Sequence, residues 1–115
     1  MENAAYQVTI YATTQGKEPF EQWIKSIRDK ATLRVIFKRI QRLRLGLFGD
    51  AKSVSEGVHE LRIDFGPGYR IYFAKIGIQT VLLIAGGDKS SQDSDIKRAK
   101  IYLLDYRKKY DKRTP

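Results

Sequence analysis

The residues best suited to chemistry lie in one stretch, ELRIDFGPGYRIYF, at residues 60–73. Two alternating apolar runs flank a Gly-Pro-Gly turn, and the runs carry Arg62 and Arg70. Because successive side chains of a strand point to opposite faces, apolar residues that face the core turn Arg62, Arg70 and Tyr72 away from it. Cations with an interleaved aromatic ring are typical of RNA-binding surfaces, because the cations bind phosphates and the aromatic side chains stack on unpaired bases.

Further cations extend this basic surface. Lys89 follows an apolar strand and is placed to reach the same concave side of the sheet. Arg39 and Arg42 lie on the polar face of a predicted helix. Three interpretations of this face are open: it is simply solvated, it contacts phosphates, or it binds an acidic partner. The hairpin arginines also have an ordinary interpretation, in which Glu60 or Asp64 pairs with them across the strands.

His59 is the single imidazole of the chain. It could titrate near neutral pH and act as a general base. On strict alternation it shares a face with Leu61, which favours a structural role instead. The chain has one histidine and no cysteine, so a zinc-type cluster is essentially excluded, and we expect no metal and no cofactor.

The composition indicates a polyanionic partner. The 115 residues are the size of one domain, 1–115, and the net charge of +9 favours nucleic acid, an anionic membrane surface or an acidic protein. No signal peptide is visible, and the longest apolar run, residues 81–85, is too short to span a bilayer. We therefore expect a cytoplasmic protein without a membrane partner, and the sequence does not indicate its oligomeric state.

Hydrophobic periodicity predicts the order β-α-α-β-β-β-α. The predicted segments are a strand over 6–13, helices over 19–27 and 32–44, a loop over 47–57, strands from 58, 69 and 80, a helix from about 96, and a basic, frayed tail over 107–115. The two short-linked helices should form an antiparallel hairpin.

These elements predict an α+β fold with an antiparallel-rich, four-stranded sheet. The three later strands should form a meander, which the first strand joins after the helical hairpin. Helices are expected against one face of the sheet. Residues 80–87 are nevertheless apolar on both faces, which is typical of a central strand that is covered on both sides.

Three segments carry a resemblance to a known family: FEQWIKSIRD, GDAKSVSEGVHELRIDFGPGYRIYF and LLIAGGDKSSQDSDIKRAK. Through them the chain resembles the RelE/ParE toxin superfamily and, within it, the HigB-like, phage-derived addiction module killer proteins. The resemblance runs from about Tyr6 to Tyr106. The combination of the GPGYR hairpin with the later GGDKSSQ is specific, whereas GYR alone would be weak.

This resemblance implies the RelE-like toxin fold and a type II toxin–antitoxin module. The partners would be a cognate antitoxin, usually a helix-turn-helix protein, and mRNA on the ribosome, which RelE-like members cut in the A site. Arg70 matches the arginine that holds the scissile phosphate, and Lys89 matches a basic position that stabilises the transition state. Arg62 occupies a shared motif position. The expected activity is a metal-independent endoribonuclease that inhibits translation.

The sequence departs from the RelE pattern at its acid and base positions. Some RelE members have two lysines on the strand before the turn, where this chain has His59 and Glu60. A tyrosine after the last strand has no clear counterpart, and Asp95 lies closest to its position. His59 and Tyr72 are the chemical substitutes. Two other functions stay open: a ParE-like inhibitor of DNA gyrase, and a nucleic-acid- or partner-binding module without catalysis.

Overall fold

The computed structural model describes residues 5–110 and has the α+β fold that the sequence predicts. Its elements are β1 (Gln7–Ile10), α1 (Pro19–Ser26), α2 (Lys30–Arg44), β2 (Ala51–Ser53), β3 (His59–Ile63), β4 (Tyr69–Ile76), β5 (Thr80–Asp88), a 3₁₀ turn (Lys89–Ser91) and α3 (Gln92–Tyr110). No helix in this part of the chain is both long and apolar enough to cross a membrane.

The sheet has five strands in the order β1-β5-β4-β3-β2. The strands β3, β4 and β5 form the expected antiparallel meander, and β1 pairs with β5 in parallel. The fifth strand, β2, lies inside the predicted loop over 47–57, and its Ala51 pairs with Leu61. A strand of three residues is too short for its periodicity to appear, since its conformation is set by pairing with β3.

Helices cover both faces of the sheet, so the expectation of helices on one face was wrong. On the first face, α1 and α2 pack on β3, β4 and β5. On the second face, α3 buries Ala99 and Leu103 against Tyr72, Ala74 and Leu82. The apolar character of β5 on both faces was the correct signal, because a strand between two helical layers has no solvated side.

Local signals fix the ends of the helices. Pro19 begins α1, and the Asp29 carboxylate caps α2 by accepting hydrogen bonds from the Thr32 backbone N–H at 3.0 Å and its hydroxyl at 2.7 Å. The helix α3 runs to Tyr110, so residues 107–110 are helical and not part of a frayed tail. The remainder of the predicted tail lies outside the described residues.

Candidate functional site

Three cations that the sequence singled out line one cavity of about 460 Å³. We call this cavity the cationic hollow. Its lining consists of Asp50, Arg62, Ile63, Asp64, Gly66, Pro67, Gly68, Tyr69, Arg70 and Lys89. The hollow is therefore formed by the β3–β4 turn, the strand residues beside it and the residue that follows β5.

Strand register and one turn bring these cations together. Arg62 and Arg70 are direct partners in the β3–β4 ladder. The Lys89 backbone N–H donates a hydrogen bond to the Gly68 carbonyl at 3.0 Å, which ties the end of β5 to the turn. Gly68 has φ +87°, and a Cβ there would lie 3.8 Å from Arg70 Nη1 and 3.9 Å from Lys89 Cβ. These are ordinary van der Waals distances, so it is the left-handed backbone of the turn, and not a lack of space, that favours glycine at this position.

A buried carboxylate holds Arg70 in place. Arg70 Nε lies 3.5 Å from Glu60 Oε2, and the side chains are 9% and 0% exposed. The same carboxylate oxygen accepts hydrogen bonds from the Tyr72 hydroxyl at 3.1 Å and from Gln92 Nε2 at 2.8 Å. Within residues 5–110, Glu60 Oε1 and Arg70 Nε make no hydrogen bond of good geometry. The ordinary interpretation of the hairpin, a cross-strand carboxylate partner, is confirmed for this pair.

Tyr72 does not present its ring to a ligand, so that expectation was wrong. The side chain is fully buried beneath α3. Burial and the neighbouring Glu60 charge raise the pKa of its hydroxyl. Alternation placed Tyr72 on the correct face of the sheet, but that face is covered by a helix and not open to solvent.

Arg62 is more accessible than Arg70. Its Nε lies 3.3 Å from Asp50 Oδ2, and both side chains are exposed. Arg39 Nη1 donates a hydrogen bond to the Arg62 carbonyl at 3.2 Å, so α2 braces β3 beside the hollow. Burial lowers the pKa of the Arg39 guanidinium. Arg42 is exposed on α2 and does not line the hollow.

His59 lies on the opposite face of the sheet from the three cations. It pairs with Phe73 in the ladder, and the two rings stack with centroids 5.3 Å apart. Burial, and secondarily the charge of Lys75, lowers the pKa of the imidazole. The structure therefore separates His59 from the hollow, as strict alternation indicated.

The hollow contains titratable groups that were not among the candidate residues predicted from the sequence. Asp50, Asp64 and Tyr69 line it. Asp64 had a signal, because it alternates in phase with Glu60 and Arg62. Asp50 and Tyr69 had none, since their positions depend on the β2–β3 pairing and on the turn. Among residues 5–110, no three His, Cys, Asp or Glu side chains are grouped closely enough to hold a metal ion.

The GGDK segment positions Lys89 through two close approaches. A Cβ at Gly86 would lie 2.1 Å from Trp23 Cε3, and one at Gly87 would lie 2.0 Å from Asp95 Oδ2. Asp95 is buried, accepts a hydrogen bond from the Ser91 hydroxyl at 2.5 Å and pairs with Arg98. The two glycines therefore let α1 and α3 pack directly on the end of β5, from which Lys89 projects.

Comparison with known proteins shows a relationship to a Haemophilus protein. No family model matches the chain. An uncharacterized protein of Haemophilus influenzae (strain ATCC 51907 / DSM 11121 / KW20 / Rd) is 48% identical over 82 residues, which are 71% of this chain and 83% of that protein. The chain belongs to the same family as this Haemophilus protein. The relationship assigns no activity to either member.

Proposed function

We propose that the chain is the toxin of a type II toxin–antitoxin module with a RelE-like fold. It acts in the cytoplasm as a ribosome-dependent, metal-independent endoribonuclease of mRNA. The observation that carries the proposal is the convergence of Arg62, Arg70 and Lys89 on one hollow. A net charge of +9 attracts polyanions to the chain. Three positively charged side chains line the hollow.

The proposed reaction uses the 2′-hydroxyl of the RNA as nucleophile. Its oxygen gives its proton to a base and bonds to the adjacent phosphorus while the bond from phosphorus to the 5′-oxygen breaks. The departing 5′-oxygen takes a proton from water, which leaves a cyclic phosphate and a 5′-hydroxyl. The protein orients the attacking oxygen in line and neutralises charge on the phosphorane. The arginines offer forks of donors, and Lys89 offers a mobile point charge.

The anchoring of Arg70 supports a precise role in this reaction. Its Nε faces Glu60, and its Nη1 lies beside Gly68 and the backbone of the turn. A guanidinium that is fixed before the substrate arrives loses little conformational entropy on binding a phosphate. We assign Arg70 to the scissile phosphate and Lys89 to the transition-state charge, with Arg62 holding a neighbouring phosphate.

We assign the proton acceptor to Asp64. It lines the hollow, and it forms no salt bridge with a cation in the described part of the chain, whereas Asp50 is paired with Arg62. A base must lie within hydrogen-bond reach of the proton that it removes, and Asp64 is on the same surface as the phosphate-binding groups. His59 is excluded from this role in the proposal because it lies on the other face of the sheet.

The proposed partner is a cognate antitoxin, of the helix-turn-helix type, that holds the toxin inactive. A cationic hollow attracts an acidic segment, and electrostatic complementarity of this kind speeds association and selects the partner. An antitoxin that covers the hollow would exclude RNA from Lys89 and Arg62.

Induced expression in bacteria tests the proposal. We expect growth arrest and codon-linked breaks in transcripts, mapped by primer extension, for the unchanged chain and for the control Lys97→Ala, whose lysine is exposed on α3. Lys89→Ala and Arg62→Ala should each lose on the order of 10²–10³ in cleavage, as for a lost oxyanion donor.

Other outcomes would favour the competing functions. A DNA-damage response without transcript breaks would favour inhibition of gyrase. Binding of RNA with a steep dependence on salt, but without breaks, would favour a binding module. Either result would overturn the nuclease.

A further inference from the structure

An apolar groove on α2 is lined by two exposed aromatic rings. Phe37 is 47% exposed and Phe65 is 37% exposed, and both line a cavity of about 610 Å³. Ala31 and Val35 complete its apolar lining. An exposed apolar surface with a polar rim is a feature that binding sites for other molecules share. We call this cavity the α2 groove.

The shape of the α2 groove suits a helix. Its lining follows α2 from Ala31 to Gln41, which at 1.5 Å per residue is about 15 Å. A partner helix of about three turns matches that length, and its side chains would pack between the ridges of α2. Recognition of an amphipathic helix by an apolar groove is a recurrent mode of peptide binding.

The charge of the rim indicates the character of that helix. Arg34 and Lys38 line the groove, both are exposed, and they are four residues apart on α2. No carboxylate belongs to the lining within residues 5–110. An acidic flank along one side of an apolar stripe would therefore complement the groove. Unstacked bases also stack on exposed aromatic rings beside cations, so RNA is the alternative occupant that the test must separate from a helix.

We propose that the α2 groove binds an acidic amphipathic helix of a partner protein. The groove and the cationic hollow share one turn, since Phe65 lines the groove while its neighbours Asp64 and Gly66 line the hollow. A helix that is docked on Phe65 therefore touches the segment that forms the hollow. The inference depends on the groove alone and does not require RNA cleavage.

A labelled synthetic peptide tests the proposal by fluorescence anisotropy. The probe is a capped helix of about 18 residues with leucines on one stripe and glutamates beside it, and its control is a scrambled peptide of the same composition. Because the two peptides carry the same charge, attraction to a basic chain binds them equally. We expect the unchanged full-length chain to prefer the amphipathic probe by on the order of tenfold.

Three variants assign that binding to the groove. Phe37→Ser should remove the preference, whereas Ile101→Ser, which changes an exposed apolar residue of α3, should retain it. The double variant Arg34→Glu/Lys38→Glu should instead prefer a probe with lysine flanks. Equal binding of both peptides, equal effects of Phe37→Ser and Ile101→Ser, or no response to the charge exchange would overturn the proposal.

An oligouridylate distinguishes RNA as the occupant. If it displaces the probe and binds Phe37→Ser more weakly than the unchanged chain, the groove is an RNA contact and the helix proposal is wrong. All these measurements omit ribosomes, so their failure would leave the proposed nuclease untouched.

Discussion

Arg70 Nε lies 3.5 Å from Glu60 Oε2, and both side chains are buried between the sheet and α3. This ion pair restricts the position of the Arg70 side chain, although Arg70 lines an open hollow. Tyr72 and Gln92 donate to the same carboxylate, so the position of Arg70 is fixed from β3, β4 and α3 together. A buried, paired arginine is compatible with the proposed role of Arg70, because Glu60 holds the side chain where it lines the hollow.

Breaking this pair should cost far more than breaking the exposed pair beside it. Arg70→Ala leaves the Glu60 charge buried and uncompensated, with an expected loss of about 3–5 kcal/mol in the free energy of unfolding. Arg62→Ala removes the exposed pair with Asp50 and should cost about 0–1 kcal/mol. Urea unfolding measures both. The double variant Glu60→Gln/Arg70→Gln should recover part of the loss, and equal costs for Arg70→Ala and Arg62→Ala would contradict the buried pair.

His59 should titrate below its ordinary pKa. Burial against Phe73 and the nearby Lys75 lower the pKa from 6.5, so the folded chain binds this proton less tightly than the unfolded chain. The resulting stability is fully present above pH 6.5 and is lost as the pH falls through the lower, folded pKa. NMR of the single imidazole measures the folded value directly. A pKa at or above 6.5 would show that His59 is not desolvated as described.

Asp64→Asn should separate binding from cleavage. Removing one negative charge from the hollow should tighten RNA binding by up to about fivefold, the size of an exposed charge interaction. If Asp64 accepts the proton, the same variant should cleave on the order of 10²-fold more slowly. Anisotropy and single-turnover cleavage measure the two effects, with Asp93→Asn on the outside of α3 as control. Faster or unchanged cleavage would remove Asp64 from its assigned role.

Gly86→Ala should disturb the end of β5. The added methyl group would lie 2.1 Å from Trp23 Cε3, so the ring must move, with an expected cost of about 1–3 kcal/mol from overpacking. Trp23 is the single tryptophan, and its fluorescence should change. Gly16→Ala is the control, because a Cβ at Gly16 would have no atom within 4 Å. That substitution introduces backbone strain, since Gly16 has φ +84°, but no contact with Trp23. Unchanged Trp23 emission in Gly86→Ala would contradict the close approach.

Much of the fold could be predicted because its signals are local. Pro19, the periodicity of α2 and the alternation of β3 and β4 each act over a few residues and gave the correct elements. The side of the sheet on which α3 packs is not a local property. Tyr72 reads as an exposed aromatic residue between two apolar ones, and only the position of α3 makes it a core residue.

The sequence predicted the cations of the candidate site but not the residues that hold them in position. Arg62, Arg70 and Lys89 stand in short motifs, and the hairpin register brings the first two together. Gln92, by contrast, reaches Glu60 across 32 positions of the chain. No short-range pattern signals a contact of that kind, and the same holds for Asp50, which depends on the unanticipated strand β2.

The most direct test of the central claim is cleavage by the purified chain on ribosomes programmed with a defined mRNA. Primer extension should show breaks at the A-site codon with the unchanged chain and with Lys97→Ala. Lys89→Ala should lose the breaks while it keeps the same melting temperature, because its side chain forms no salt bridge in the described residues. Equal cleavage by Lys89→Ala and Lys97→Ala, or no cleavage by the unchanged chain, would contradict the account.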